Sequence, residues 1–284
     1  MKCIVITGAS TGIGFGAAKE FVTHGYQVFG SVRREADAAR LKAELGDNFT
    51  PLIFDITDSK AVRSAACQVE KIIGDRNLNG LINNAGMATS GALMYQPLEE
   101  IRLQFEVNVV GQIGVIQAFL PLLGARKTNN GEQPGRIINI SSVVGKLAVP
   151  FLGAYVGSKH AIEGISHSLR RELQLYGIDV IIIAPGAVST AIWDKKSARD
   201  VSKYLTTDYA ESATIFQKQF VQQGKEGYRP EIFGKFVRKV FETPKPKTKY
   251  AIVPNLLRDW VIPTALPDRW LDKIIGRKFG LFQK

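Results

Sequence analysis

The feature that most constrains the fold is a regular alternation between two kinds of segment. Short apolar runs rich in Val and Ile alternate with longer stretches in which apolar residues recur every three or four positions. This alternation predicts a doubly wound α/β domain with a parallel sheet of about seven strands and helices on both faces. The predicted strands are residues 3–7, 27–32, 50–55, 78–83, 136–141, 179–184 and 250–253.

The alternation continues almost to the end of the chain, and neither a repeat nor a linker divides it. We therefore predict a single nucleotide-binding and catalytic domain over residues 1–253. A long polar insertion at about 190–230 follows the sixth predicted strand. Residues 254–284, rich in aromatic, basic and proline residues, are predicted to be an extension that packs on the same domain.

Composition narrows the class of protein further. Of the 284 residues, 45% are hydrophobic and 22% are charged, which is typical of a globular chain and excludes wholesale disorder. Two cysteines and three histidines are too few for a disulfide framework, and we predict no metal site. The lack of a secretory signal, and of an apolar run of ~18–20 residues, predicts a cytoplasmic protein in a reducing compartment.

The first predicted strand leads directly into a glycine-rich turn, TGASTGIG at residues 7–14, and then into a predicted helix. Glycines at 8, 12 and 14 allow a tight turn, close approach of the backbone to a pyrophosphate, and packing of the helix on the sheet. The helix N-terminus favours an anion at that point. Taken alone, the pattern is also compatible with an ordinary turn.

The end of the second predicted strand indicates which dinucleotide is bound. Many NAD-binding sheets place a carboxylate there to bind the ribose 2′-hydroxyl, whereas this chain has Arg33 and Arg34. Guanidinium groups pair with a 2′-phosphate that a carboxylate would repel, which predicts NADP(H) in preference to NAD(H). The alternative is that both arginines are simply exposed surface residues.

Four further motifs follow in order along the chain. They are NNAG at 83–86, the serine pair Ser141-Ser142, the helical pair Tyr155-x-x-x-Lys159, and Pro185-Gly186 after the sixth predicted strand. Together with the glycine turn, this ordered set resembles the short-chain dehydrogenase/reductase family in its one-domain branch. The resemblance is close over residues 1–190 and loose beyond them.

The resemblance implies a set of catalytic residues. Tyr155 corresponds to the general acid/base, Lys159 to its partner that also binds the nicotinamide ribose, Ser142 to the group that polarises the substrate carbonyl, and Asn108 to a helix asparagine that holds a water in a proton relay. Four residues apart on a helix, Tyr155 and Lys159 share one face, and an ammonium beside the phenol is expected to lower its pKa from about 10. Alternatively, Asn108 pairs locally, and the Tyr–Lys pair is ordinary helix packing.

The resemblance also implies the contacts of the coenzyme. Asp55 and the following backbone would meet the adenine, the 83–86 segment would line the adenosine half, and Pro185-Gly186 would turn the chain beneath the nicotinamide. The implied coenzyme-binding residues, together with Arg33 and Arg34, are Gly8, Ser10, Thr11, Gly12, Ile13, Gly14, Asp55, Ile56, Asn84, Ala85, Gly86, Tyr155, Lys159, Pro185, Gly186, Val188 and Thr190.

The expected reaction is hydride transfer between nicotinamide and a carbonyl or secondary alcohol, with Ser142 and Tyr155 contacting the substrate. The insertion at 190–230 stands where the family places its substrate lid, and its aromatic and aliphatic residues predict a bulky, mostly apolar substrate. Phe151 and Trp193 are candidates to line that pocket, or else core or lid packing residues. The length of the chain beyond the core looks similar to the retinol- and steroid-metabolising members.

The formal net charge of +11 is concentrated in the C-terminal tail, where residues from Lys225 onward include 14 basic and 6 acidic side chains. The segment 271–284 mixes Lys and Arg with Ile, Leu and Phe, so it could rest on an anionic membrane. Docking on the enzyme's own surface or at a subunit interface is the preferred interpretation.

Two amphipathic helices, near 98–123 and 154–176, correspond to helices that pair with their copies in the family. The resemblance therefore predicts a homodimer or homotetramer.

Two other classes of function are weighed against an enzyme. A sensor of the same fold would bind NADP without turnover, but such proteins usually lack the Tyr or the Lys that this chain retains. A nucleic-acid binder would suit the basic isoelectric point, yet no recognition helix or aromatic platform is present and the charge gathers outside the sheet. We therefore expect a small-molecule substrate and no nucleic-acid partner.

Overall fold

The computed structural model describes residues 1–126, 131–189 and 202–282. Its centre is a seven-stranded sheet in the order β3-β2-β1-β4-β5-β6-β7, and every neighbouring pair is parallel. This confirms the predicted fold class. The strands are β1 (Cys3–Ile6), β2 (Gln27–Val32), β3 (Phe49–Ile53), β4 (Gly80–Asn83), β5 (Arg136–Ile140), β6 (Asp179–Pro185) and β7 (Lys249–Ile252).

Helices cover both faces of the sheet, and each face has its own apolar core. Parallel strands buried on both faces need uninterrupted apolar runs, which is why β1 reads Cys-Ile-Val-Ile and is buried throughout. The helices are α1 (Gly12–Thr23), α2 (Glu35–Leu45), α3 (Ser59–Ile73), α4 (Leu98–Phe105), α5 (Gln112–Phe119), α6 (Gly153–Glu172), α7 (Ala210–Glu226), α8 (Pro230–Glu242), α9 (Ile262–Ala265) and α10 (Asp268–Phe279).

The helix predicted near 98–123 differs from expectation in its middle. A π-helical segment, Glu106–Gly111, separates α4 from α5, and a 3₁₀ turn, Pro121–Leu123, ends the run. Such π segments are often found at functional sites, because they shift the register of the side chains around them. The second predicted helix is observed as α6 followed by the 3₁₀ turn Leu173–Tyr176.

Helix α8 fixes the position of α1 through two glycines. A Cβ on Gly16 would lie 2.2 Å from the Pro230 carbonyl oxygen, and one on Gly234 would lie 2.2 Å from the Gly16 carbonyl oxygen. The two backbones can approach this closely only because neither glycine carries a side chain. The close crossing holds α1, and with it the glycine turn, against the sheet.

A third apolar cluster lies outside the sheet and joins α6, α7 and α10. Phe216 of α7 stacks on Phe220 and lies 6.0 Å, between ring centroids, from Phe279 of α10. Along the chain that the structure describes, no helix is both long and apolar enough to cross a membrane. The same residues contain no His, Cys, Asp and Glu grouping suited to a metal ion.

Candidate active site

The predicted site segments lie at one edge of the sheet. Because all seven strands are parallel, their carboxyl ends meet there. The strand order reverses direction between β1 and β4, which is the switch point where open α/β sheets bind ligands. The glycine turn follows β1, the 83–86 segment ends β4, and the serine pair follows β5, so the fold brings these motifs to a common crevice.

The glycine turn is built as a cradle that side chains would fill. Gly8 and Gly12 have φ values of +66° and +58°, in the left-handed region that favours glycine. A Cβ on Gly14 would lie 2.2 Å from the Gly8 carbonyl oxygen, so the turn closes tightly on the start of α1. Thr11 is the residue before the helix, and its side chain makes no capping hydrogen bond. The backbone and the helix N-terminus therefore fit a pyrophosphate.

Hydrogen bonds from β4 brace this turn. The Thr7 hydroxyl accepts from the backbone N–H groups of Asn84 and Ala85, each at 2.9 Å. The Asn84 amide donates to the carbonyl oxygens of Thr7 and Gly8, at 2.9 and 3.2 Å. Asn84 thus has a structural position, joining the ends of β1 and β4 on either side of the switch point.

Three arginines surround the end of β2. Arg33 and Arg34 each have a side chain that is 78% exposed; Arg34 pairs with Asp37 at 2.8 Å, and Arg33 lies 3.9 Å from Asp55. Sequence reasoning missed Arg40, whose guanidinium donates to the Ser10 carbonyl oxygen of the glycine turn at 2.7 Å. Its position in the middle of α2 gave no local signal.

Tyr155 and Lys159 lie on one face of α6, as predicted from their spacing. The Ser142 hydroxyl is close enough to the Tyr155 phenol to influence its pKa. The Lys159 ammonium is buried, donates to the Ile140 carbonyl oxygen at the end of β5 at 2.9 Å, and lies 5.8 Å from the centroid of the Tyr155 ring. Ser142 also donates to the Pro185 carbonyl oxygen at 3.4 Å, which links the ends of β5 and β6 to this group.

The direction of the pKa shift of Tyr155 differs from the prediction. Burial raises the pKa of the phenol above 10, and the neighbouring Ser142 hydroxyl opposes that rise only in part. Burial lowers the pKa of Lys159 to about 8, against the opposing effect of the Glu163 carboxylate. The expected fall in the Tyr155 pKa was wrong for the chain by itself, because loss of solvent around the phenol outweighs the influence of its neighbours.

Asn108 lies in the π-helical segment and is completely buried. Its side-chain oxygen accepts from the Met87 backbone N–H at 2.8 Å, and its amide donates to the Met87 carbonyl oxygen at 2.9 Å and to the Ser158 hydroxyl at 3.0 Å. The side chain is thus engaged by Met87 and Ser158, which are distant in sequence, and not by its neighbours on the helix. It joins the chain after β4 to the middle of α6.

Glu163 is a buried acid that sequence reasoning missed. It lies one helical turn after Lys159. One carboxylate oxygen accepts from the Ser141 hydroxyl at 2.8 Å and the other from the Lys249 ammonium of β7 at 2.5 Å. A Cβ on Gly145 would lie 2.5 Å from both the carboxylate and the Ser141 hydroxyl, so the cluster is closely packed. Ser141 is therefore occupied, whereas its neighbour Ser142 faces Tyr155.

Lys249 extends this cluster toward the C-terminal extension. Its ammonium lies 4.7 Å from the centroid of the Trp260 ring, within the range of a cation–π contact. Lys249 comes from the last strand and Trp260 from the segment just beyond it, more than 80 residues after Glu163. No pattern in the sequence connects residues so far apart.

The remaining predicted site residues fall into two groups, those that the structure describes and those that it does not. Phe151 is buried one helical turn before Tyr155 and adopts a left-handed backbone with φ +64°. Thr190 and Trp193 lie outside the described residues, as does the first part of the predicted lid. The other predicted coenzyme contacts lie at the same edge of the sheet. Asp55 follows β3 and its side chain accepts from Thr57, and the next residue, Ile56, is buried. Ile13 lies in the first turn of α1, Gly86 follows β4, and Gly186 and Val188 follow β6.

A fully parallel sheet with a glycine-built turn at its switch point is typical of dinucleotide-binding proteins. The chain belongs more narrowly to the short-chain dehydrogenase/reductase family. The family model described as short chain dehydrogenase matches residues 2–200. The predicted family and enzyme class are thereby confirmed: the chain is an oxidoreductase with a fold that binds NAD or NADP.

Individual relatives agree with this assignment. The chain is 39% identical to the NADPH-dependent 3-dehydrocapnine reductase of Ornithobacterium rhinotracheale, over 96% of both chains. It is 32% identical to the 3-ketodihydrosphingosine reductase of Bacteroides thetaiotaomicron, over 89% of this chain and 88% of the other. Retinol and steroid dehydrogenases also match, as the length of the chain had suggested.

A solved structure of the same family has a similar fold. A short-chain dehydrogenase from Streptomyces avermitilis superimposes with a TM-score of 0.76 at 27% identity, covering 97% of this chain and 94% of that one. The agreement covers the C-terminal extension as well as the sheet.

Proposed function

We propose that this protein is an NADPH-dependent reductase that donates a hydride from the coenzyme and a proton from Tyr155 to a ketone on a bulky, mostly apolar substrate. The observation that supports this most is that Ser142 and the buried Lys159 ammonium both lie near the Tyr155 phenol. Neighbouring hydroxyls at the carboxyl edge of the sheet can share one carbonyl oxygen. Both would donate to that oxygen as negative charge develops on it.

The protonation states of these groups suit reduction. Because the pKa of Tyr155 is raised, its phenol is protonated at neutral pH and can act as a proton donor. With a pKa of about 8, Lys159 is mostly charged there and would stabilise the phenolate that remains after proton transfer. The π-helical segment with Asn108 would position Ser158 and α6, and through them Tyr155; the predicted water relay would run beside it.

NADP(H) is the proposed coenzyme. When bound, it supplies the hydride and its acceptor chemistry. Arg33, Arg34 and Arg40 place three guanidinium groups around the end of β2, where the 2′-phosphate of NADP would lie. The related 3-dehydrocapnine reductase is named as NADPH-dependent, which supports the same preference.

The substrate proposal follows from the apolar cluster next to Tyr155. Phe151, Phe216 and Tyr209 surround the start of α6 with aromatic surface. One relative is named as a 3-ketodihydrosphingosine reductase, so 3-ketodihydrosphingosine is a practical test compound. Phe151 is proposed to line the substrate pocket, and the same proposal is kept for Trp193 from its position in the sequence.

Self-association is proposed on similar grounds. The helices predicted to pair between copies carry exposed apolar side chains, among them Leu103, Val110 and Leu175, which are 50–80% exposed in the single chain. Burying such residues against a second copy would remove apolar surface from water.

The decisive experiment is NADPH-dependent turnover of a panel of ketones, from small to long-chain, followed by loss of NADPH absorbance. Tyr155→Phe is expected to abolish turnover and to leave NADPH binding nearly intact, because only the hydroxyl is removed. Tyr176→Phe, at the end of the same helical run, serves as the matched control. Undiminished turnover in Tyr155→Phe would reject the assigned role, and tight NADPH binding with no turnover of any ketone would instead favour the sensor alternative.

A further inference from the structure

Helix α10 in the C-terminal extension has two faces of different character. Ile275 and Phe279 lie one helical turn apart and face the domain, where Phe279 packs on Phe216 of α7. Trp270 and Ile274 lie on the outward face and are 65% and 53% exposed. An exposed tryptophan and isoleucine one helical turn apart make an apolar strip that is left uncovered by residues 1–126, 131–189 and 202–282.

The same outward face is positively charged. Lys273 and Arg277 lie three and seven positions after Trp270, on its side of the helix, and Lys278 is adjacent. Within the described residues none of these three forms an ion pair, whereas Arg269 pairs with Asp272. The face therefore carries uncompensated cations around its apolar strip.

A second group of exposed apolar residues lies just before α10. Leu256, Leu257, Val261 and Ile262 are 43–61% exposed and occupy the short helical run that ends at α9. Only two residues, Leu266 and Pro267, separate α9 from α10. Exposed apolar side chains therefore recur through residues 256–274.

The inward face of α10 connects this segment to the active site. Ile275 and Phe279 belong to the apolar cluster that also contains Phe151 and Tyr155. The outward face is consequently separated from that cluster by about one helix diameter, on the order of 10 Å. The anchorage is specific, because the Ser212 hydroxyl of α7 donates to the Gly280 carbonyl oxygen at 3.0 Å.

We propose that the outward face of α10, which comprises Trp270, Lys273, Ile274 and Arg277, docks on the surface of an anionic lipid bilayer. Tryptophan and isoleucine enter the boundary between headgroups and acyl chains, while the cations contact lipid phosphates. Charge selects this occupant over the same face of a second copy, because the Lys273 and Arg277 side chains of the two faces would repel each other. Docking goes beyond the proposed reduction and does not depend on it.

The test is co-sedimentation of the full-length protein with vesicles of phosphatidylcholine, with and without phosphatidylglycerol. The protein is expected to bind the anionic vesicles more strongly than the neutral ones. Ile274→Glu should weaken this binding about tenfold, because it replaces an inserted apolar group with a negative charge. Ile72→Glu on α3 is the matched control, since Ile72 is 49% exposed and the substitution is the same.

A second pair of variants isolates the charge contribution. Removing one cation near an anionic surface costs about fivefold in binding, so Lys273→Gln/Arg277→Gln is expected to lose more than tenfold. Lys60→Gln/Arg63→Gln on α3 makes the same change in net charge elsewhere and should have little effect. Circular dichroism and NADPH binding verify that every variant is folded.

Three results would overturn the proposal. One is a wild-type protein that co-sediments no more with anionic vesicles than with neutral ones. Another is equal loss of binding in the α3 controls, which would reflect net charge alone. The third is an Ile274→Glu protein that changes its molar mass in analytical ultracentrifugation and keeps its vesicle binding, which would make the face an interface between copies. Turnover of a small water-soluble ketone, measured in parallel, should not change in any α10 variant.

Discussion

The buried Glu163 leads to a prediction about pH. The pKa of Lys159 is about 8, and the Glu163 carboxylate opposes the lowering caused by burial. Glu163→Gln removes that negative charge, so the charged form of Lys159 becomes less stable and its pKa falls. A drop of about 1 pH unit is at the low end for losing a nearby opposite charge. At about pH 8 the charged fraction would fall from about one half to about one tenth, a roughly fivefold loss of activity.

The assay is kcat/KM for ketone reduction by NADPH, measured across pH for the wild type and the variant. The alkaline limb should move to lower pH in Glu163→Gln, with the two enzymes converging near about pH 6, where Lys159 is charged in both. The glutamine still offers an oxygen to the Ser141 hydroxyl, so the serine pair keeps its position. Glu172→Gln, exposed near the end of the same helix, should leave the limb in place.

The partner of Glu163 supplies a test of opposite sign. Lys249→Met removes the ammonium that offsets the Glu163 charge, so Lys159 faces a stronger negative charge and its pKa rises. The alkaline limb should then move to higher pH. His167, which interacts with Glu163, and its partner Arg170 are unchanged in both variants, and the lowered pKa of His167 leaves its imidazole neutral over the alkaline limb. A uniform loss of rate in both variants, with the limb fixed at the wild-type pH, would refute the electrostatic account and leave Glu163 a purely structural residue.

Three further predictions concern the coenzyme site and the lid. Arg33→Glu should weaken NADPH far more than NADH, because it repels the 2′-phosphate alone; equal losses in binding titrations would remove the argument for NADP. Gly14→Ala should abolish binding of both coenzymes, since the new Cβ would lie 2.2 Å from the Gly8 carbonyl oxygen. Phe216→Ala should cost about 3 kcal/mol in denaturant unfolding, as a buried aromatic of the α6–α7–α10 cluster is lost.

Much of the fold could be predicted because its signals are local. The apolar composition of the run Cys3–Ile6 alone predicts a buried strand. All seven observed strands begin and end within one or two residues of the predicted positions. The spacing of Tyr155 and Lys159 placed both on one helix face for the same reason. Each of these inferences needs only neighbouring residues and a known periodicity.

The parts that could not be predicted depend on contacts between distant segments. Arg40 reaches Ser10 across 30 residues, and Lys249 reaches Glu163 across 86. The raised pKa of Tyr155 has a similar origin, because it reflects the packing of several distant elements around the phenol. The π-helical segment Glu106–Gly111 was also not predicted, because the spacing of its apolar residues is the same as in an ordinary α-helix.

The route of the chain between β6 and β7 has a consequence for how the enzyme withstands damage. The backbone leaves the sheet at Pro185, forms α7 and α8, and returns at Lys249 to pair with the strand it left. If the chain were cut between β6 and β7, the two fragments would therefore stay associated through the backbone hydrogen bonds that pair these strands. A single proteolytic nick in this stretch should yield two fragments that co-purify under native conditions and separate only in denaturant.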